Sequence, residues 1–481
     1  MTQVERVDVA IVGSGPGGAV MAHEAAKRGL RTLVLERGPH VESTGVHSDM
    51  QELRTIPRIY KDGGLFMTAE MDMFILQGTC VGGSSVLANM VMMRPAQSVF
   101  DAWRRAGAGV THAMLEPLFD EVERELGVST AAQSNVSKSS ALFKSAAERI
   151  GLRPGYMTKA LGACDGCGYC NVACTLGSKK SALSTYLPWA REAGARVLPE
   201  ADVEGISHRR GRAHALEVRV GRGREPLRVE AQQIVVAGGA IGSSGLLLKS
   251  GIRKNVGTRV SFNAGAMVIG KFPYAVDGWD GDQMTVFLKG DGYVVEATHN
   301  PPMSMALTTP GWFGQHSALM KSGHRLGYAG VLVATEPVGR VVHSLPFGHE
   351  EVHFKLSPRD LATLQRGIRS VAEVLFEAGV EQVILPNHEL TTLHSAAECE
   401  RVAQRVCDTR DFSLGSAHPQ GGNPWSEDPA LGVVDNSFAV HGFDNLFVCD
   451  ASVFPSGVGV NPIETILAVS KHAARRILAR A

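Results

Sequence analysis

"VDVAIVGSGPGGAVMAHEAAKRGLRTLVLERG", residues 7–38, decides the fold class. Val7, Val9, Ile11 and Val12 form a short apolar run suited to a parallel strand buried on both faces. Gly13-Ser14-Gly15-Pro16-Gly17-Gly18 interrupts it with almost no side-chain bulk. Ala22, Ala25, Ala26 and Leu30 then give a helix face small enough to lie close to a sheet. Thr32 to Leu35 make a second strand, and Glu36 ends it, 18 residues beyond Gly18. The glycines fit G-x-G-x-x-G. They turn the chain sharply, let backbone approach a pyrophosphate and admit a helix whose N-terminal amides hold the anion, while the carboxylate accepts from a ribose. NAD and FAD share this cradle, so the unit predicts a dinucleotide without choosing between them.

The 481 residues, 44% of them apolar, suffice for a large core and more than one domain. With 48 basic and 48 acidic residues the net charge is zero, so no global field draws in nucleic acid or an anionic membrane. No run reaches the roughly 18 apolar residues of a spanning helix. The first residues run straight into a strand, which reads as a cytoplasmic protein without a leader.

Further along, Gly82, Gly83, Ser84 and Ser85 form a bare loop whose amides could reach a flat ring or a phosphate; a plain tight turn fits equally well. Residues 101–126 and 137–150 read as helical, 203–236 as a β-meander, and "GGAIGSSGLLLKSGI" (238–252) as another strand–glycine–helix element. Residues 258–355 alternate apolar and polar runs, as antiparallel strands do. An amphipathic helix with a serine cap and a glycine stop is expected over 357–379.

"CDGCGYCNVAC" (164–174) sets Cys164, Cys167, Cys170 and Cys174 in C-x2-C-x2-C-x3-C, half of the chain's eight cysteines. Such clustering argues against a secreted disulfide framework. The spacing is that of bacterial ferredoxins, in which two-residue gaps wrap one loop around a cluster. Zinc sites favour two separated pairs, and the second pair is missing. Zinc and unligated thiols remain as alternatives. Thr175 replaces the proline of the ferredoxin pattern, and Cys174 or, more remotely, Cys80 could be the fourth ligand. Cys399, Cys407 and Cys449 read as ordinary buried thiols.

Four stretches carry a family resemblance: "GSGPGG" with "LERG"; "GTCVGGSSVLANMVMMRP" (78–95); "GGAIGSSGLLLKSGI"; and the C-terminal pair "SAHPQGG" (416–422) with "DNLFVCDASVFPSGVGVNPIETILA" (444–468). In this order they resemble the glucose–methanol–choline (GMC) family of FAD-dependent oxidoreductases, and within it the long-chain alcohol oxidase and dehydrogenase branch. The resemblance implies an α/β fold: a discontinuous Rossmann-like FAD domain plus a substrate domain with an antiparallel sheet covered by helices. The boundaries expected are 1–100, 196–257 and 411–481 for the FAD domain, 101–195 for a helical segment carrying the cysteine loop, and 258–410 for the substrate domain.

It also implies site residues. His418 would be the base that takes a hydroxyl proton as hydride leaves carbon for flavin N5; histidine suits this because its ordinary pKa lies near neutrality. Asn461 would orient the substrate oxygen. FAD would lie against Gly13, Gly15, Pro16, Gly17, Gly18, Glu36 and Arg37, against Gly83, Ser84, Ser85 and Asn89, against residue 204 in the meander, and against Asp450, Ala451, Asn461 and Pro462. No histidine offers itself for covalent attachment, so the flavin is expected to be non-covalent. The function expected is oxidation of an apolar aliphatic, aromatic or cyclic alcohol. Its electrons would leave through an iron–sulfur cluster, [4Fe–4S] or [3Fe–4S], to a one-electron acceptor protein or quinone. An isomerase or lyase without net redox, an oxygen-using oxidase with a structural cluster, and an electron-transfer protein with a vestigial site are the alternatives.

Overall fold

The computed structural model describes residues 3–41, 51–174, 176–344 and 348–480. Its first layer forms around the strand Gln3–Val12, which pairs in parallel with Thr32–Leu35 on one side and Glu225–Val236 on the other. Arg196–Leu198 extends the first edge, also in parallel. At the opposite side Leu446–Val448 joins the end of Glu225–Val236, so this sheet takes strands from both ends of the chain. The earlier half of Glu225–Val236 continues into the expected meander with Ala201–Arg209 and Arg212–Val220. Both faces of the parallel part are covered, which is why Val9, Ala10 and Ile11 are fully buried in succession. The helix Pro16–Ala26 packs on this sheet and against the C-terminal helix Ile463–Ile477.

The second layer is antiparallel. Asn263–Lys271, Leu326–Ala334, Tyr293–Thr298 and Met284–Lys289 lie side by side in that order, and helix Pro358–Glu377 covers one face. That helix starts as its sequence predicts: the Ser357 side chain accepts from Asp360 N, and the Asp360 carboxylate accepts from the Ser357 amide. Leu414–Ser416 pairs with Asn263–Lys271 at Gly265 and runs parallel to Met73–Ile75, which delivers the chain to residue 418 from the middle of this sheet.

The helical stretch 101–126 forms as two helices, Gln97–Arg105 and His112–Leu126, broken at Gly107 (φ +96°), where a Cβ would stand 2.1 Å from Ser426 Oγ. One local expectation needs correction. The stretch 258–355 is not all strand: Pro302–Thr308 and Phe313–Lys321 are short helices inserted between sheet strands. No helix among the described residues is long and apolar enough to cross a membrane.

Candidate active site

The glycine turn after the first strand is built by close packing. A Cβ on Gly17 would lie 2.0 Å from Cys449 O, and one on Gly18 would lie 2.0 Å from Gly13 O. Gly13 itself has φ +100°, a conformation open mainly to glycine. Gly15 is different: its added Cβ would meet only Gly83 Cα, at 4.0 Å, because it faces open space. Ser14 ties the turn to the second strand, donating to Glu36 Oε2 from its amide (3.0 Å) and hydroxyl (2.7 Å). Gly38 N donates to Glu36 Oε1 at 2.8 Å, and Gly82 N donates to Ser14 Oγ at 3.0 Å. Burial raises the Glu36 pKa, while these donors favour its charged form.

One cavity of about 1090 Å³ starts at this turn and ends in the second layer. Gly13, Gly15, Pro16, Gly17, Glu36 and Arg37 line one part, Gly83, Ser84, Ser85 and Asn89 another, and Asp450, Ala451, His418, Asn461 and Pro462 the rest. Two expected contacts are displaced. Gly18 does not line the cavity, because its Cα packs on Gly13. Residue 204 is a glutamate that turns away from the cavity, toward Arg219 and Arg224; neighbouring side chains on a strand face opposite ways, so Val203 lines the cavity instead.

Asp450 joins the cavity's walls. It accepts from Gly239 N (2.8 Å), Ser452 N (2.8 Å) and the Ser243 hydroxyl, so the 238–252 element and the last strand of the first sheet hold each other. A slot bounded by backbone at four glycines, with a ribose-type carboxylate at one end and a polar pair at the other, fits a flavin dinucleotide. Gly15 and Gly83 would pass the pyrophosphate, Glu36 would hold a ribose, and the 450–462 segment would bound the ring system.

At the far end, Asn263 Nδ2 donates one N–H to Val460 O at 2.7 Å and points its other at His418 Nδ1, 3.4 Å away. Because an amide nitrogen only donates, this long contact favours Nδ1 as acceptor and the ring proton on Nε2; Nε2 can accept only when that proton sits on Nδ1. The His418 amide donates to Ser416 Oγ (3.1 Å), which donates to Asn263 O (2.8 Å), so the loop is fastened to the second sheet. Burial, with no charged partner, lowers the His418 pKa to about 4. Asn461 is 8% exposed and its Oδ1 has no partner.

Sequence reasoning missed Glu296. It lies on the strand Tyr293–Thr298, is 5% exposed, lines the cavity and shares a hydrogen bond with the Asn461 side chain. Burial raises its pKa to about 7, and its Oε1 has no partner. The signal was present: a single charge inside the apolar run "YVVEAT" is costly unless the fold uses it.

The cysteine loop sits against the same cavity. Asn171, between Cys170 and Cys174, is a lining residue; Asn89 Nδ2 donates to its Oδ1 at 3.0 Å and Tyr60 Oη to its carbonyl at 2.7 Å. Lys179 Nζ donates to Cys170 O at 2.7 Å, and Asn135 Nδ2 to Cys164 O at 2.7 Å. Beside the loop, Lys159 Nζ and Asp282 Oδ1 form a buried ion pair at 2.5 Å. Burial pushes the Cys170 thiol up to about 11 and raises Cys164 and Cys167. Among the described residues no three His, Cys, Asp or Glu side chains close on a position that could hold a metal ion. Cys80 is buried and its thiol points back at Gly83 O, 3.8 Å away. Cys407 is exposed, unlike the buried Cys399 and Cys449, which corrects the expectation for it.

Residues 56–264 and 337–470 match the two models of the GMC oxidoreductase, and residues 11–62 match an NAD(P)-binding Rossmann-like domain. The chain belongs to the GMC oxidoreductase family. It is thus an oxidoreductase with a Rossmann-like domain, and membership of the family supports FAD as the dinucleotide of its cavity. An uncharacterised GMC-type oxidoreductase of Mycobacterium tuberculosis (strain ATCC 25618 / H37Rv) is 29% identical over 99% of this chain and 76% of its own length. A long-chain-alcohol oxidase of Arabidopsis thaliana is 25% identical over 98% of this chain and 68% of its own. Among solved structures, pyridoxine 4-oxidase from Mesorbium loti is similar in fold, with a TM-score of 0.76 at 19% identity over 98% of this chain and 99% of that one.

Proposed function

We propose that this GMC oxidoreductase oxidises an apolar alcohol to the carbonyl compound. The observation that carries the reading is one cavity shared by the glycine cradle, His418 and Asn461. FAD, when bound, supplies the two-electron acceptor for the hydride on the alcohol carbon. The chain's own residues do the rest. Asn461 donates its amide to the substrate oxygen and fixes its direction. His418, kept neutral by burial, takes the hydroxyl proton at Nε2 once its own proton sits on Nδ1, the weak 3.4 Å contact from Asn263 giving way. Phe66, Met67, Met267 and Leu332 line the cavity and suit a hydrocarbon skeleton, and Ser304, Leu307 and Thr308 bring the inserted helix into its wall. The alcohol loses two electrons and two protons in all.

The finer part of the reading concerns where those electrons go. Cys164, Cys167, Cys170 and Cys174 offer four soft donors at ferredoxin spacing beside the buried ammonium groups of Lys159 and Lys179, which suit an anionic cluster. The described thiols do not close on a metal position here, so holding a cluster requires the loop to rearrange. A [4Fe–4S] or [3Fe–4S] cluster there would supply one-electron chemistry in the cavity's wall, with a protein or quinone as acceptor. Oxygen as acceptor is the second reading, favoured by the name of the Arabidopsis thaliana relative.

The test is the anaerobically purified protein, assayed for flavin, iron and acid-labile sulfide, then mixed with a panel of primary and secondary alcohols. Flavin bleaching without added acceptor, lost in His418→Ala at unchanged flavin content, is expected. Unchanged turnover in that variant would remove the proposed base, and absence of iron and sulfide would remove the cluster. Peroxide formation at full rate in air would select the oxygen reading.

A further inference from the structure

Asn461 has to present an N–H to the substrate oxygen, yet its own segment does not decide which end of its amide is nitrogen. Its Oδ1 is buried without a partner, and the two ends of an amide have nearly the same shape. The main chain beside it is fastened, Val460 O accepting from Asn263 Nδ2 at 2.7 Å, so what is left open is the direction of the side chain. Glu296 bears on that direction. It lines the same cavity from the antiparallel sheet, is buried, and shares a hydrogen bond with the Asn461 side chain. Its cross-strand neighbours are Phe287 and Gly330, neither of which brings a side chain that can pair with a carboxyl. Met267, opposite Gly330 on the next strand, extends the row with another uncharged group. The charge that acts on Glu296 is Lys159, already engaged with Asp282. A carboxyl buried in such a wall is costly, and the sheet itself makes no use of it.

We infer that Glu296 positions Asn461: its carboxylate accepts one Nδ2–H, which fixes the nitrogen end of the amide and leaves the second N–H to the substrate oxygen. This rests on the alcohol-oxidation reading above, in which Asn461 meets the substrate, and makes Glu296 a positioning residue. A carboxylate only accepts, so it rejects the flipped amide, which would set oxygen against oxygen. Aligning the reacting atoms matters more in the transition state than in ground-state binding, so Glu296 acts on kcat rather than on KM.

The experiment is a double-mutant cycle on the FAD-loaded enzyme, with flavin content and unfolding temperature recorded for each variant. It takes wild type, Glu296→Leu, Glu296→Gln, Asn461→Ala and Glu296→Leu/Asn461→Ala. On an alcohol that wild type turns over, Glu296→Leu should lose roughly tenfold in kcat with KM little changed, the scale of one hydrogen bond to a charged group. Glu296→Gln keeps an acceptor oxygen and should recover most of that loss. In the Asn461→Ala background the Leu substitution should cost nothing further, because the residue it serves is gone. Wild type carrying 15N-asparagine gives a readout that survives if the Leu variant does not fold. One side-chain N–H of Asn461, assigned by its disappearance in Asn461→Ala, should exchange with solvent more slowly than the other. A kcat loss that persists at full size without Asn461, a loss confined to KM, a Gln variant no better than Leu, or equal exchange of the two N–H groups overturns the proposal. A wild type that oxidises no alcohol, or an Asn461→Ala variant as fast as wild type, overturns the alcohol reading itself, so the two failures are told apart.

Discussion

At the scale of single residues, His418 and Glu296 are displaced from their ordinary titration in opposite senses for the same reason, burial without a strong counter-charge. Glu296 holds its proton up to about 7, against an unfolded value of 4.5. A carboxyl raised in the folded state adds stability that is complete below its unfolded pKa and is lost as pH rises through the folded one. Thermal unfolding of Glu296→Gln should therefore gain on wild type as pH climbs from 5 to 8. His418 runs the other way, its folded value near 4 lying below the ordinary 6.5. Its contribution is present above the ordinary value and is lost as pH falls through the folded one, so His418→Ala should resist acid better than wild type. Activity gives a second measurement: replacing a general base costs about 10²–10⁴-fold in kcat/KM, with substrate-free flavin spectra unaltered. His418 was singled out through the family resemblance of "SAHPQGG", since its proline–glycine surroundings alone suit an ordinary loop histidine better. Glu296 was not singled out, because its meaning comes from Asn461, 165 positions further along the chain.

At the scale of elements, the strand–glycine–helix unit was readable because each of its parts is local: a β run, a bulk-free turn and a small-faced helix within 32 residues. What packs on the glycines was not readable, since Cys449 arrives from the far end of the chain. This predicts a split between two substitutions of like size. Gly17→Ala puts a methyl 2.0 Å from Cys449 O and should destabilise by about 1–3 kcal/mol whether or not flavin is bound. Gly15→Ala, with φ −62° and open space before it, should leave the flavin-free unfolding temperature unchanged and weaken only flavin binding. The short helices at 302–321 escaped detection because each is under three turns and carries little amphipathic pattern. The Lys159–Asp282 pair is similarly non-local. Lys159→Met strands a buried carboxylate and should cost about 3–5 kcal/mol in chemical denaturation, most of it recovered in Lys159→Met/Asp282→Leu.

At the scale of the whole molecule, one cavity is walled by segments near 13–37, 83–89, 236–240 and 450–462. A ligand that touches all of them stabilises them jointly, because binding to the folded state alone shifts the unfolding equilibrium by mass action. Hydrogen exchange should show residues 13–38 and 446–462 gaining protection together on adding FAD. Protection of the first segment alone would mean that the two ends open independently. The order of the layers was legible because the motifs come in sequence. The seating of the cysteine loop against the cavity was not, since it rests on Asn171 meeting Asn89 across 82 positions.

The parallel sheet's last strand, Leu446–Val448, has a consequence for biogenesis. A ribosome making this chain must emit more than 400 residues after the first strand before the sheet that strand begins can be finished, and until then an apolar edge stands uncovered. Loading with its prosthetic group is then a post-translational event, and the period before it is when the newborn polypeptide most depends on chaperones.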